Sequence, residues 1–135
     1  MLLDVNVLLA LGWAEHEAHG TVVKRLFRSQ QWATCPITQL GFVRLSSTNG
    51  IFSRTLSPAQ ALTGLQDLCA DKQHRFVAEH PSLVDCDFSQ LAGPRQTTDA
   101  YLLTLAQHHG MCLVTLDRRL VNAFPGAAVE LLAAE

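Results

Sequence analysis

The chain has 135 residues, ten Lys and Arg against twelve Asp and Glu, and a formal net charge of −2. That length suits one domain, residues 1–135, with a sizeable core. An apolar share of 48% with 16% charged residues argues against disorder, and the balanced charge excludes a strongly basic nucleic-acid-binding composition.

In chain order, Met1 to Val5 reads as a short buried first strand with Asp4 at its end, after which Val5, Leu8, Leu9 and Gly12 follow helical spacing. Asp4 and Asn6 interrupt the apolar stretch from Met1 to Leu11 and no basic region precedes it, so it is neither a signal peptide nor a membrane span. Glu15 to Gln30 reads as a second helix, with Val22, Val23, Leu26 and Phe27 inward and Lys24, Arg25 and Arg28 outward. Trp32 to Cys35 makes a second strand, and Pro36 suits the start of the next helix, whose apolar stripe begins with Ile37, Leu40 and Val43.

Thr48-Asn49-Gly50 closes that element, and Ser57-Pro58 opens another helix running to about Ala70. Arg75 to Ala78 reads as a third strand and Asp85 to Leu91 as a short helix, with Gly93-Pro94 breaking the chain. Thr97 begins a helix whose stripe Asp99, Leu102, Leu103, Ala106 has core-facing spacing, and Gly110 stops it. Met111 to Leu116 follows as a buried strand ended by Asp117, then about one helical turn, a Pro125-Gly126 turn and a last strand at Val129 to Leu132.

Strands alternating with helices imply a three-layer α/β/α sandwich around a mainly parallel sheet. Cys35, Cys69, Cys86 and Cys112 are scattered without a Cys-x-x-Cys pair, which points to reduced thiols in a cytoplasmic protein, with neither a zinc site nor a disulfide framework. Between Glu17 and Asp67 there is no acid, while Lys24, Arg25, Arg28, Arg44 and Arg54 fall there. Solvated helix faces and a polyanion-facing surface both account for that window.

In open parallel sheets, function collects outside the carboxyl ends of the strands. Asp4 and Asp117 occupy such ends and Asp99 enters the helix between them. Each alone has a structural reading as a helix cap or dipole partner. Three converging carboxylates repel one another, and a divalent cation relieves the repulsion. Hard oxygen ligands select Mg²⁺ or Mn²⁺, which suits phosphodiester hydrolysis.

The segments M-L-L-D-V-N-V-L-L-A-L, C-P-I-T-Q-L-G-F-V-R-L-S-S, Q-T-T-D-A-Y-L-L-T-L-A and L-V-T-L-D-R-R-L together resemble a PIN domain, closest to the VapC-type toxins of bacterial toxin–antitoxin pairs, across essentially the whole chain. The resemblance implies a Mg²⁺-dependent endoribonuclease, a homodimer, held inactive by a cognate antitoxin. Carried over by position, it implies Asp4 and Asp99 as metal ligands, Asp117 as completing a catalytic acidic pocket, and Asn6 and Thr115 as polar residues lining it. It departs at Gln39, where the family commonly has a glutamate, so a one-metal site or a weakly held second ion is expected. Gln39 as a pocket residue and as a half-buried structural amide remain two open readings. Arg44 is a candidate phosphate contact by the same resemblance.

Remaining candidates read as structural. His16 and His19 sit in H-E-A-H, one residue short of H-E-x-x-H, and suit a solvated helix end. His108 and His109 suit the carbonyls of a last helical turn. Trp13, Trp32 and Phe42 read as core before base-stacking platforms. The alternative to an enzyme is a catalytically weak or inactive RNA- or antitoxin-binding module on the same fold.

Overall fold

The computed structural model describes residues 1–28, 31–78 and 80–133. Five strands, β1 (Leu2–Leu3), β2 (Trp32–Thr34), β3 (His74–Phe76), β4 (Leu113–Thr115) and β5 (Val129–Leu131), join one sheet in the order β3-β2-β1-β4-β5. Every pairing is parallel, with Leu2 opposite both Ala33 and Leu113. The helices are α1 (Val5–Gly12), α2 (His19–Phe27), α3 (Pro36–Ser46), α4 (Pro58–Cys69), α5 (Thr97–His108) and α6 (Arg118–Ala123).

Side chains alternate across the strands, and the alternation builds two cores. Leu3, Trp32 and Val114 pack with residues of α1, α2, α3 and α4 on one face. Leu2, Ala33 and Leu113 pack with Leu102, Leu105 and Ala106 of α5 and Leu120 of α6 on the other. The three-layer α/β/α sandwich expected from the sequence is therefore the fold. Two glycines let α1, α3 and α4 approach closely. A Cβ on Gly41 would lie 2.8 Å from Val5 Cγ2, and one on Gly12 would lie 2.7 Å from the Phe42 ring. Trp13 closes this face by stacking on Phe52 at 4.0 Å and donating from Nε1 to Ser46 Oγ at 2.9 Å.

Five sequence expectations shift. The first strand ends at Leu3, because Asp4 caps α1. The helix expected from Glu15 begins at His19, and its final expected residues, 29 and 30, lie outside the described ones. Only Val22 and Leu26 of that helix are buried, while Val23 and Phe27 are exposed. An inward stripe two residues wide at i, i+4 suffices to seat a nine-residue helix on the sheet. The third strand spans His74–Phe76 rather than Arg75 to Ala78. The helix expected over Asp85 to Leu91 is replaced by a single 3₁₀ turn at Leu83–Asp85. There Ser82 Oγ accepts from Val84 N and Asp87 Oδ1 accepts from Ser89 N. These local side-chain bonds hold turns, and the segment has no buried face to favour a helix.

All four cysteines are free thiols, with Cys35 buried at the N-cap of α3 rather than within β2, and Cys112 just ahead of β4. Among the described residues no helix is long and apolar enough to cross a membrane.

Candidate active site

The strand order reverses direction between β1 and β4, the switch point where the carboxyl ends of an open sheet leave a crevice. Asp4 follows β1 and Asp117 follows β4, so the two residues flank that crevice. Both also cap helices. Asp4 Oδ1 accepts from Val5 N at 2.7 Å at the start of α1, and Asp117 Oδ1 accepts from Arg119 N at 2.9 Å at the start of α6. The cap reading and the convergence reading are thus both true of these two.

Asp99 is different. The N-cap of α5 is Gln96, and Asp99 stands three positions further on, half-buried, with no hydrogen bond among the described residues. Its carboxyl is pushed up to about 6 by burial first, then by repulsion from Asp4 and from Asp117. Asp4, buried at 8% exposure, is also raised. Burial is the largest cause and is opposed by the hydrogen bonds from Thr115 and Val5, with Asp117 adding repulsion. Three carboxylates therefore feel one another at one sheet edge, and Arg119, 3.6 Å from Asp117 Oδ1, is 92% exposed and weakly engaged.

A polar net holds the strand ends in place. Thr115, fully buried, donates from Oγ1 to Asp4 Oδ2 at 2.7 Å and accepts from Asp117 N at 3.1 Å and Asn6 Nδ2 at 3.3 Å. Asn6 Oδ1 accepts in turn from Leu116 N at 3.1 Å. These bonds bring together four of the residues expected from the sequence: Asp4, Asn6, Thr115 and Asp117. Asp99 joins them through electrostatics alone.

Gln39 and Arg44 stand apart from that net. Gln39 Nε2 donates to Thr34 Oγ1 at 3.0 Å and lies 4.0 Å from Cys69 Sγ. Thr34 Oγ1 is 2.7 Å from His74 Nε2, and burial, the largest influence on His74, holds that ring below its ordinary range. Arg44 is exposed in the last turn of α3, about 12 Å along the helix axis from its start by helical rise. Of the basic window, Arg25 is held by Glu130 at 2.7 Å, while Lys24 and Arg28 line a cleft with Phe27 and Leu132.

The histidines and aromatics settle into local roles. His19 Nδ1 lies 2.7 Å from Ala10 O at the end of α1, and His16 Nδ1 accepts from Ala18 N at 3.0 Å. These contacts tie the α1–α2 connection more firmly than a solvated helix end would. Trp13, Trp32 and Phe42 are buried in the core.

The donor set is suited to a hard cation. The acidic groups offer only oxygen, and Asp99 lacks a bonding partner. Among the described residues no three His, Cys, Asp or Glu side chains converge tightly enough to form a complete cage. A Mg²⁺ ion takes one or two carboxylates and keeps several waters, so Asp4 and Asp99 fit it without a third ligand.

The comparisons agree with this architecture. The PIN domain family model matches residues 1–124. The chain is 43% identical to Ribonuclease VapC38 of Mycobacterium tuberculosis, covering 97% of this chain and 96% of that protein. It is 39% identical to Ribonuclease VapC44 of the same species, over 98% and 96%. Among solved structures, VapBC2 from Rickettsia felis bound to a DNA fragment from its promoter superposes with a TM-score of 0.64 at 12% identity, covering 96% of each chain. Mycobacterium tuberculosis VapC20, described as a sarcin-ricin loop cleaving toxin, gives 0.61 at 17% identity, covering 93% of this chain and 95% of that one. A doubly wound parallel sheet with aspartates at its switch point, a family match over most of the chain and near full-length relatives agree, and the chain belongs to the PIN-domain family as a VapC-type member.

Proposed function

We propose that the protein is the toxin of a type II toxin–antitoxin pair, a Mg²⁺- or Mn²⁺-dependent endoribonuclease acting in the cytoplasm. The observation that carries this reading is Asp99, a half-buried carboxyl without a hydrogen-bond partner among the described residues, raised to about 6 by burial and then by repulsion from Asp4 and Asp117. Such repulsion brings no benefit to folding and is relieved by a cation. Full-length relatives named as ribonucleases support RNA as the substrate.

In this reading Asp4 and Asp99 hold the cation. When bound, the cation supplies charge for the phosphodiester and lowers the pKa of water toward neutrality. Thr115 fixes the rotamer of Asp4, and its donated hydrogen bond favours the charged carboxylate against the effect of burial. Asn6 ties α1 to the end of β4, so the acids on β1 and β4 keep one spacing. Asp117, partly neutralised by the α6 amide it caps, orients water or a proton at the pocket mouth. The Lys24–Arg28 surface attracts the polyanion.

The Gln39 amide is engaged by Thr34 and Cys69, which favours its structural reading over a pocket role. The expected partners are RNA, a cognate antitoxin and a second copy of the chain, the antitoxin supported by the VapBC neighbour and the second copy by the family resemblance alone.

The test incubates purified protein with total RNA, with EDTA or with added Mg²⁺ or Mn²⁺, beside Asp99→Asn. Cleavage that needs the metal and is lost in the variant supports the reading. Cleavage that persists in EDTA, or is untouched by the substitution, would sink it. RNA binding without any cleavage would favour the inactive binding module.

A further inference from the structure

The acidic pocket does not end at Asp117. Asn6 and Asp117 also line a cleft of about 470 Å³, within the size range of small-molecule sites. Leu116, Leu131 and Leu132 give it an apolar part, and His16, Glu17 and Arg118 a polar one.

Two of those polar groups have capacity to spare. His16 Nδ1 accepts the Ala18 amide proton, which places the ring proton on Nε2 and leaves that N–H as a donor. Arg118 is exposed and makes no ion pair among the described residues, whereas its neighbour Arg119 takes Asp117. A nucleobase presents an apolar face and a polar edge, and its phosphate needs a cation close by. The cleft supplies all three beside the candidate scissile site.

We propose that this cleft seats the nucleobase of the RNA residue adjoining the cleaved phosphate. Arg118 contacts the phosphate of that residue, and His16 Nε2–H and the Glu17 carboxylate read the base edge. Glu17 only accepts hydrogen bonds and His16 Nε2–H only donates, so together they suit a base edge that sets a donor beside an acceptor. The leucines carry the base face. This inference rests on the ribonuclease reading for its substrate, but the seat itself can be tested without catalysis.

The experiment titrates ¹⁵N-labelled Asp99→Asn protein with each of the four nucleoside 5′-monophosphates, and with ribose 5-phosphate as a base-free control, following amide shifts. Shifts at Leu116 and Leu131 are expected with the nucleotides, and binding of ribose 5-phosphate should be about tenfold weaker. Arg118→Gln should weaken every phosphate-bearing probe about tenfold, the loss of one good contact. His16→Asn keeps an acceptor for the Ala18 amide while removing Nε2–H, and should weaken the nucleotides alone. In wild-type background both variants should raise KM for a short RNA about tenfold and leave kcat within about twofold.

Nucleotide shifts in this cleft without RNA cleavage by the wild type would support the seat and overturn the ribonuclease reading. RNA cleavage with no nucleotide shifts, and KM unchanged in Arg118→Gln, would overturn the seat and leave the ribonuclease reading standing. Arg118 is exposed, so that variant remains informative even if His16→Asn fails to fold.

Discussion

Thr115 Oγ1 donates to Asp4 Oδ2 across 2.7 Å, joining the ends of two parallel strands 111 residues apart in sequence. The same hydroxyl accepts from Asp117 N and Asn6 Nδ2, so its one donor and two acceptor positions are all used. Thr115→Val keeps the shape and removes the hydroxyl, leaving a buried carboxylate oxygen short of a donor. We expect a loss of about 1–2 kcal/mol in chemical denaturation and a fall in RNA cleavage. Thr115→Ser should recover most of both, and equal loss in Val and Ser would show that the methyl, not the hydroxyl, matters.

Asp99 sets a pH dependence. Only its ionised form offers a charge to a cation, and its carboxyl is raised to about 6. Cleavage should therefore decline as pH falls through about 6, with roughly a tenth of Asp99 ionised at pH 5 in the absence of metal. A bound cation favours the ionised form, so the midpoint should move to lower pH as Mg²⁺ is increased. A midpoint near 4 that ignores Mg²⁺ concentration would show that Asp99 is not the titrating ligand.

The approach of α3 to α1 depends on a missing side chain. A Cβ at Gly41 would stand 2.8 Å from Cγ2 and 3.1 Å from Cγ1 of Val5, the residue whose amide caps onto Asp4. Gly41→Ala should cost about 1–3 kcal/mol by overpacking and lower cleavage by moving Val5. Val5→Ala in the same chain should restore part of both. Thermal melts and cleavage assays of the two variants check this, and a neutral Gly41→Ala would show that α3 yields freely.

Gln39→Glu separates the two readings of that position. The amide donates to Thr34 Oγ1, which also meets His74. A carboxylate there loses the donated bond and adds charge beside a half-buried cysteine, so about 1 kcal/mol of destabilisation is expected with metal affinity unchanged. Tighter Mn²⁺ binding by titration calorimetry would return Gln39 to the metal pocket.

The sheet and most of its helices were legible because apolar periodicity reports burial directly, as in Leu2–Leu3, Leu113–Thr115 and the α5 stripe. The pairing of Asp4 with Thr115 was visible only as two polar residues at strand ends, since spacing along the chain does not reveal which strands are neighbours. The inward placement of Val23 and Phe27 does not hold because the apolar pairs Val22-Val23 and Leu26-Phe27 offer two stripes at i, i+4 spacing, and packing against the sheet selects Val22 and Leu26. Asp85 to Leu91 reads as a short helix in the sequence, but the chain gives that segment no buried face and forms a turn at Leu83–Asp85 instead. His16 and Arg118 carried no signal as a pair: their meeting in one cleft depends on how the α1–α2 connection lies against the end of β4.

The most direct test of the metal centre is the thermal unfolding of wild type and Asp99→Asn at pH 7.5, with EDTA and with Mn²⁺. A carboxyl raised in the folded state contributes stability fully present below its unfolded value of 3.8 and lost as pH rises through about 6. At pH 7.5 without metal, charged Asp99 is therefore a burden, and its removal should stabilise the protein by about 1 kcal/mol after allowing for solvent screening. The advantage should vanish near pH 4. Mn²⁺ should raise the wild-type midpoint in a concentration-dependent way and leave the variant where it was. An equal Mn²⁺ shift in both proteins, or a less stable Asp99→Asn at pH 7.5 in EDTA, would contradict the account.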